Sequence, residues 1–203
     1  MKIIGITGGV GAGKSRVLAY LQEHYNCRIM MTDQTAKDLQ LPGGACYGPV
    51  LEILSEADTG RELLEPDGTI NKEEMAARIF ADPDLLRRIN ALIHPAVTQA
   101  VMDAIVQERE AGRIEYFFLE AALLIETGFT EVVDSMWYIY ADEAVRRQRL
   151  RETRGYDDAK TDRIMASQLS DALFRENCDT VIDNSGDFSD TAWRIDQAIA
   201  SLG

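Results

Sequence analysis

The chain has 203 residues, 46% of them hydrophobic, which suffices to bury one substantial core and predicts a single domain with room for an inserted segment. With 34 acidic against 21 basic residues its formal charge is −13, which argues against general affinity for nucleic acid or an anionic membrane, so an anionic substrate needs a local cluster of cations. Cys27, Cys46 and Cys178 lie far apart with no C-x-x-C pair, and no stretch reads as a signal peptide or a bilayer span, so reduced thiols in a cytoplasmic protein are expected.

The first fifteen residues read as a buried strand, carried by Ile3, Ile4 and Ile6, that runs into a phosphate-binding loop. Gly8 to Ser15 fits G-x-x-x-x-G-K-[ST], and Val17, Leu18 and Leu21 recur at helical spacing from Lys14 to about Tyr25, which is the context that motif requires. Consecutive backbone N–H groups at a helix N-terminus form an anion nest, and Gly8, Gly9, Gly11 and Gly13 leave room for backbone to approach phosphate oxygen. Lys14 is expected to reach the β- and γ-phosphates of ATP and the Ser15 hydroxyl to take one position on Mg²⁺, with Ala12 and Arg16 completing the nucleotide contacts. A dinucleotide fingerprint is excluded, because starting G-x-G-x-x-G at Gly9 and Gly11 puts Lys14 where the last glycine belongs.

Cys27 to Met31 suits a second buried strand, so Asp33 is expected beyond its carboxyl end, where functional residues of parallel sheets gather. Asp33 also fits the N-cap of a helix from Gln34 to Leu39, a role compatible with catalysis or substrate binding. From Leu41 to Gly112 the strand–helix alternation stops. Pro42-Gly43-Gly44 is a break, Pro66-Asp67-Gly68 a turn, and the remainder is helical, with Leu85, Leu86, Ile89, Leu92 and Ile93 on one face and Val97, Val101 and Ile105 continuing it after Pro95. Such an insertion is where a kinase holds its second substrate, and Lys72, Arg78, Arg87, Arg88 and His94 are its candidate polar contacts. His94-Pro95 fits a helix boundary equally well.

Tyr116 to Leu119 reads as a third strand followed by Glu120, an acid placed to orient Mg²⁺ or its water shell. Met136 to Ala141 is a fourth strand and Thr180 to Ile182 a fifth. Between them, Val145 to Arg154 concentrates five arginines, with Arg147, Arg151 and Arg154 on one helical stripe and Arg146 and Arg149 on another. A solvated face is the ordinary explanation of such a run, but a transferring phosphoryl group needs cations, which favours a phosphate-covering lid. Asp183-Asn184-Ser185-Gly186 is a turn expected to touch the adenine or its ribose through Asn184, and Asp190 to Leu202 carries Trp193, Ile195, Ile199 and Leu202 at the spacing of a helix packed on the sheet. The predicted fold is α/β: a doubly wound, five-stranded parallel sheet of the P-loop kinase type, with a core of about 1–40 and 113–203, a helical substrate-binding insertion of about 41–112 and an arginine-rich helical lid of about 143–175.

With these pieces in place the sequence resembles the dephospho-CoA kinase family over nearly its whole length. The resemblance lies in Gly5 to Ser15, Asp33, Asp67-Gly68, Ile70-Asn71, Ile93-His94-Pro95-Ala96-Val97, Leu123 to Glu126, Arg149-Leu150, Gln168, and Asp179 to Gly186. It implies transfer of the ATP γ-phosphoryl group to the ribose 3′-hydroxyl of dephospho-CoA, the last step of coenzyme A biosynthesis, with ATP and dephospho-CoA as small-molecule partners. The roles carried over are Asp33 as general base, Arg149 and Arg154 over the developing charge, and Lys72, Asn90 and His94 holding the pantetheine-bearing substrate. Family members usually have an acid at Met31, arginine at Lys72, threonine at Arg16, Asp-x-Pro at Glu120-Ala121-Ala122, a basic residue at Phe174 and a second lid arginine at Thr153. These departures touch substrate and lid contacts more than phosphoryl transfer. They leave two alternatives: a kinase of another nucleotide or small hydroxylated metabolite, and an ATP-binding regulatory protein without turnover. The sequence sets no oligomeric state.

Overall fold

Five strands form one sheet in the order β2-β3-β1-β4-β5: β1 (Lys2–Thr7), β2 (Cys27–Met31), β3 (Tyr116–Glu120), β4 (Ser135–Tyr140) and β5 (Thr180–Asp183). The computed structural model describes residues 1–57, 59–121, 124–125 and 128–203. Ala122, Leu123 and Glu126, which carry one of the departures and part of one family match, lie outside the described residues. β1 pairs in parallel with β3 on one side and β4 on the other, and β4 with β5, so β1 lies in the middle and its apolar run is buried on both faces. The register sets Ile6 opposite Glu120 and Trp137, and Tyr140 opposite Asp183, which brings the ends of four strands to one edge of the sheet.

The chain divides into two compact units, Met1–Met30 with Ala111–Gly203, and Met31–Glu110. In the first unit, α1 (Lys14–His24) and α9 (Phe188–Ser201) cover the sheet: Val17, Leu18 and Leu21 pack with Ile195, Ala198 and Ile199 around Ile4, Ile6, Phe118, Trp137 and Ile139. Trp193 does not join them. It is 62% exposed, because the buried stripe of α9 runs through Thr191, Ile195, Ala198 and Ile199 and position 193 falls on the far side of the helix. The span expected as a lid holds three helices, α6 (Glu143–Arg154), α7 (Asp158–Ala166) and α8 (Asp171–Asn177). Phe174 of α8 is 3% exposed and stacks on Tyr138 of β4 with ring centroids 4.7 Å apart, so this position is a core anchor and offers nothing to an anion. Burial pushes up the thiols of Cys27, Cys46 and Cys178, the last to about 11, and all three are free.

The second unit contains α2 (Thr32–Asp38), α3 (Tyr47–Ser55), α4 (Lys72–Ala81) and most of α5 (Pro83–Ala111). α2 begins at Thr32 with Met31 in the cap position, so Asp33 lies in the first helical turn and is not the N-cap; its charge there still favours the helix dipole. Around Gly68 (φ +83°) the chain reverses between Leu64 and Ile70, a bend held by Asp67 Oδ1 accepting from the Thr69 N–H at 2.9 Å. Asn71 caps α4 by accepting from Glu74 N at 2.9 Å. The predicted boundary at His94-Pro95 is absent: α5 runs unbroken through Pro95, its seam of Leu85, Ile89, Ile93, Val97, Val101, Ala104 and Ile105 buried on both sides of it. Leu86 falls off that seam and is 43% exposed. By length and composition α5 is also apolar enough to cross a bilayer, contrary to the sequence reading. Its buried residues recur along one seam at helical spacing.

Arg78, a candidate substrate contact, is instead buried in this unit. It pairs with Glu74 at 2.6 Å and donates to the carbonyls of Leu54 and Arg61 at 3.0 Å each, while Thr59 donates to the same carboxylate. The Thr59 hydroxyl and then the Arg78 guanidinium hold the Glu74 carboxyl below the usual carboxylate range. A depressed folded pKa contributes stability at neutral pH that is lost as pH falls through that value. Urea unfolding followed from pH 7 downward is therefore expected to lose stability in acid in the wild type and to lose less in Glu74→Gln. Phe174→Ala is expected to cost about 3–5 kcal/mol of unfolding free energy in the same assay at pH 7.

Candidate active site

The loop from Gly8 to Gly13 leaves β1 and enters α1 with Gly13 in the left-handed region (φ +88°), where a side chain would be strained and its Cβ would run into the Asn184 amide. Gly9 is needed for a second reason, since a Cβ there would meet the guanidinium of Arg146. The Arg16 and Val17 N–H groups close onto Gly13 O at 3.0 and 3.3 Å, and the first turn of α1 carries the positive end of the helix.

The loop's carbonyls are held from outside the nest. Lys14 Nζ donates to Gly8 O at 2.7 Å and lies 3.6 Å from Glu120 Oε1, so the expected phosphate cation and the expected acid meet at the end of β1 and β3. Ala12 N–H donates to Gly9 O at 3.2 Å, and Arg146 Nε donates to Val10 O at 2.8 Å. Asn184 Nδ2 donates to Ala12 O at 2.7 Å, and Arg149 donates to Ala12 O at 3.4 Å and to Asn184 O at 2.8 Å. Asn184 is 2% exposed and its Oδ1 accepts from Thr191 Oγ1 at 3.1 Å, so its side chain braces the loop from behind, where the sequence suggested contact with adenine or ribose.

The two arginine stripes of α6 have separate destinations. Arg147 pairs with Glu143 and Asp162 and Arg151 with Asp158, while Arg154 is exposed with its guanidinium 5.9 Å from the Tyr156 ring centroid. Arg146 and Arg149 instead reach the phosphate loop, and among the described residues neither has a carboxylate partner. Arg146 and Gln168, which accepts from Val10 N at 2.9 Å, are loop contacts that the motif reading did not assign. The i, i+3 spacing of Arg146 and Arg149 was the available signal for the first. Arg16 is exposed, with its guanidinium 4.0 Å over the ring of Phe188.

Ser15 is exposed in the first turn of α1. With Glu120 it fits Mg²⁺, which takes few protein ligands when phosphates supply the rest. No cluster of three His, Cys, Asp or Glu able to hold an ion occurs among the described residues.

Asp33, Lys72, Asn90 and His94 belong to the second unit. Asp33 is exposed in the first turn of α2, and Asn90 and His94 are exposed one turn apart on α5. Lys72 opens α4 and lines a depression of about 430 Å³ with Glu65, Thr69, Ile70, Asn71 and Glu73. The other cations expected there are engaged, Arg88 with Glu56 at 2.5 Å and Arg87 with Asp84 at 2.7 Å.

The family model for dephospho-CoA kinase matches residues 2–190. The chain belongs to the dephospho-CoA kinase family. It is 35% identical over 196 residues to the dephospho-CoA kinase of Corynebacterium jeikeium, covering 97% of each chain, and 32% identical over 195 residues to that of Geobacter metallireducens, covering 96% and 94%. The solved structure of dephospho-CoA kinase from Campylobacter jejuni superimposes with a TM-score of 0.76 at 16% identity, covering 100% of this chain and 98% of that one, a likeness of fold. The family is one of phosphotransferases, so the loop and its arginines belong to an enzyme. Asn184→Ala would leave a loop carbonyl with one long hydrogen bond. It is expected to cost about 1–3 kcal/mol in urea unfolding and to weaken ATP binding measured by calorimetry.

Proposed function

We infer that the protein transfers the γ-phosphoryl group of ATP to the ribose 3′-hydroxyl of dephospho-CoA, giving coenzyme A and ADP. The observation that carries this reading is the phosphate loop itself, with Lys14 on its first carbonyl and two arginines that have no carboxylate partner among the described residues, in a chain matched to the family over residues 2–190.

In the reaction the acceptor oxygen forms a bond to the γ-phosphorus as the bond from that phosphorus to the β,γ-bridging oxygen breaks, and the hydroxyl proton passes to the Asp33 carboxylate. Charge grows on the leaving β-phosphate. Lys14, the amides at the start of α1 and the guanidinium of Arg149 stabilise it, and preorganised donors of this kind are the main catalytic resource for phosphoryl transfer. Arg154 is assigned to the outer part of the same site, over the lid. Gly8, Gly9, Gly11, Ala12 and Gly13 shape the cradle, Arg16 flanks it, and Asn184 supports it from behind. Ser15 and Glu120 would hold Mg²⁺, which supplies charge neutralisation on the β- and γ-phosphates. Lys72, Asn90 and His94 are assigned to the acceptor, where Lys72 supplies charge without the bidentate geometry of an arginine.

The partners assigned to it are the small molecules ATP and dephospho-CoA, and the place assigned is the cytoplasm. The test is ADP release with MgATP and dephospho-CoA. Lys14→Ala is expected to abolish dephospho-CoA-dependent turnover. Asp33→Asn is expected to lower kcat by about 10²–10⁴ with little change in KM for ATP, because a base acts in the transition state. An Asp33→Asn enzyme with wild-type kcat would remove Asp33 from the mechanism.

A further inference from the structure

Val10 is held at both of its backbone polar atoms by side chains from the lid. Its N–H donates to Gln168 Oε1 at 2.9 Å, its carbonyl accepts from Arg146 Nε at 2.8 Å, and Arg146 Nη2 donates to the same Gln168 oxygen at 3.2 Å. The three bonds close a ring through one residue of the phosphate loop, the first turn of α6 and the second residue beyond the C-terminus of α7. Both bonds to Gln168 end on its carbonyl oxygen, so this side chain acts purely as an acceptor.

Simple packing of a helix on a loop does not demand this arrangement. The chain carries a formal charge of −13, and the lid arginines Arg147, Arg151 and Arg175 each pair with a carboxylate, yet Arg146 is kept on neutral oxygens. Among the described residues no carboxylate therefore cancels its charge next to the loop, where a polyanion is to bind. Gly9 lies directly beneath the guanidinium, so the sequence keeps the space that the contact needs.

We propose that Arg146 and Gln168 are positioning residues for the phosphate donor, a role that rests on the reading of this loop as the ATP site. The ring holds the two peptide groups that flank Val10, the N–H of one and the carbonyl of the next both engaged by the lid, and so fixes the chain direction from which the amides of Gly11, Gly13 and the first turn of α1 face the phosphates. Gln168 thereby acts on ATP without touching it, and Arg146 adds charge as well as position.

The test compares Gln168→Met, which keeps the volume and removes the acceptor, with Gln168→Glu, which restores an acceptor for both donors. Loss of one such hydrogen bond corresponds to about a five- to tenfold effect. In Gln168→Met the Val10 amide of the unliganded protein is expected to exchange with solvent about tenfold faster, and KM for ATP to rise about five- to tenfold with KM for dephospho-CoA unchanged. Gln168→Glu is expected to return both close to wild type at pH 7. Arg146→Met, read by the same two measurements, serves if Gln168→Met does not fold. Val10 exchange and KM for ATP within twofold of wild type in the Met variants, or a Glu variant as impaired as the Met one, would overturn the proposal. Calorimetry of the wild type with MgATP separates the two levels: no binding would sink the kinase reading itself, and Val10 exchange would still decide whether the ring exists.

Discussion

A loop that binds an anion with its backbone amides must find other partners for its backbone carbonyls, because carbonyl oxygens turned inward would repel the ligand and buried ones without donors are costly. The rest of the first unit is arranged around this constraint. Gly8 O is taken by Lys14, Gly9 O by the loop's own Ala12 N–H, Val10 O by Arg146, Ala12 O by Asn184 with Arg149, and Gly13 O by the amides of Arg16 and Val17. Apart from the Ala12 N–H, those donors come from α1, the helix α6 and the turn after β5. Each of these has to be delivered to the end of β1 by the sheet, and the parallel register with Tyr140 opposite Asp183 does that for the last of them.

The same constraint accounts for the uneven use of charge. Among the described residues Arg87, Arg88, Arg147, Arg151 and Arg175 end on carboxylates near the surface, and exposed pairs of that kind contribute little to stability. The two arginines that end on loop carbonyls have no carboxylate partner among the described residues, so their charge is available at the loop of a negative protein. That resolves the conflict between an overall charge unsuited to anions and a site that must take a triphosphate. A helix with five arginines can serve both ends because its two stripes diverge: one meets the acids of α7 and the other meets the loop.

Much of this was legible in the sequence where the signal is local. The apolar runs at Ile3–Ile6, Tyr116–Leu119 and Met136–Ala141 became strands within a residue of their expected ends, and the glycine spacing with Lys14 and Ser15 placed the loop at the start of α1. What failed depended on contacts far away in sequence. Spacing separated the arginine stripes but could not tell which one faced Val10 and Ala12. Asn184 looked like a ligand contact because turns after parallel strands commonly are; its burial against Thr191 is set by α9. Trp193 and Leu86 were counted as buried from hydrophobicity, although each lies off the seam that the helical period allows. Pro95 suggested an end to α5, and the apolar seam running past it overrode that local preference. Phe174 shows the opposite case. A position read as a lost substrate contact is a stacked core residue, so the departure bears on how α8 packs and leaves the phosphoryl-transfer parts untouched.

The central claim is that this loop serves transfer to one acceptor, and a parallel acceptor assay tests it most directly. The purified protein with MgATP is offered dephospho-CoA, AMP, adenosine and shikimate in separate reactions, with ADP release followed and products identified by mass. ADP release is expected to depend on dephospho-CoA, with coenzyme A as the product and no comparable turnover on the other three. Turnover on another acceptor in preference to dephospho-CoA, or ATP binding with no acceptor-dependent turnover at all, would contradict it.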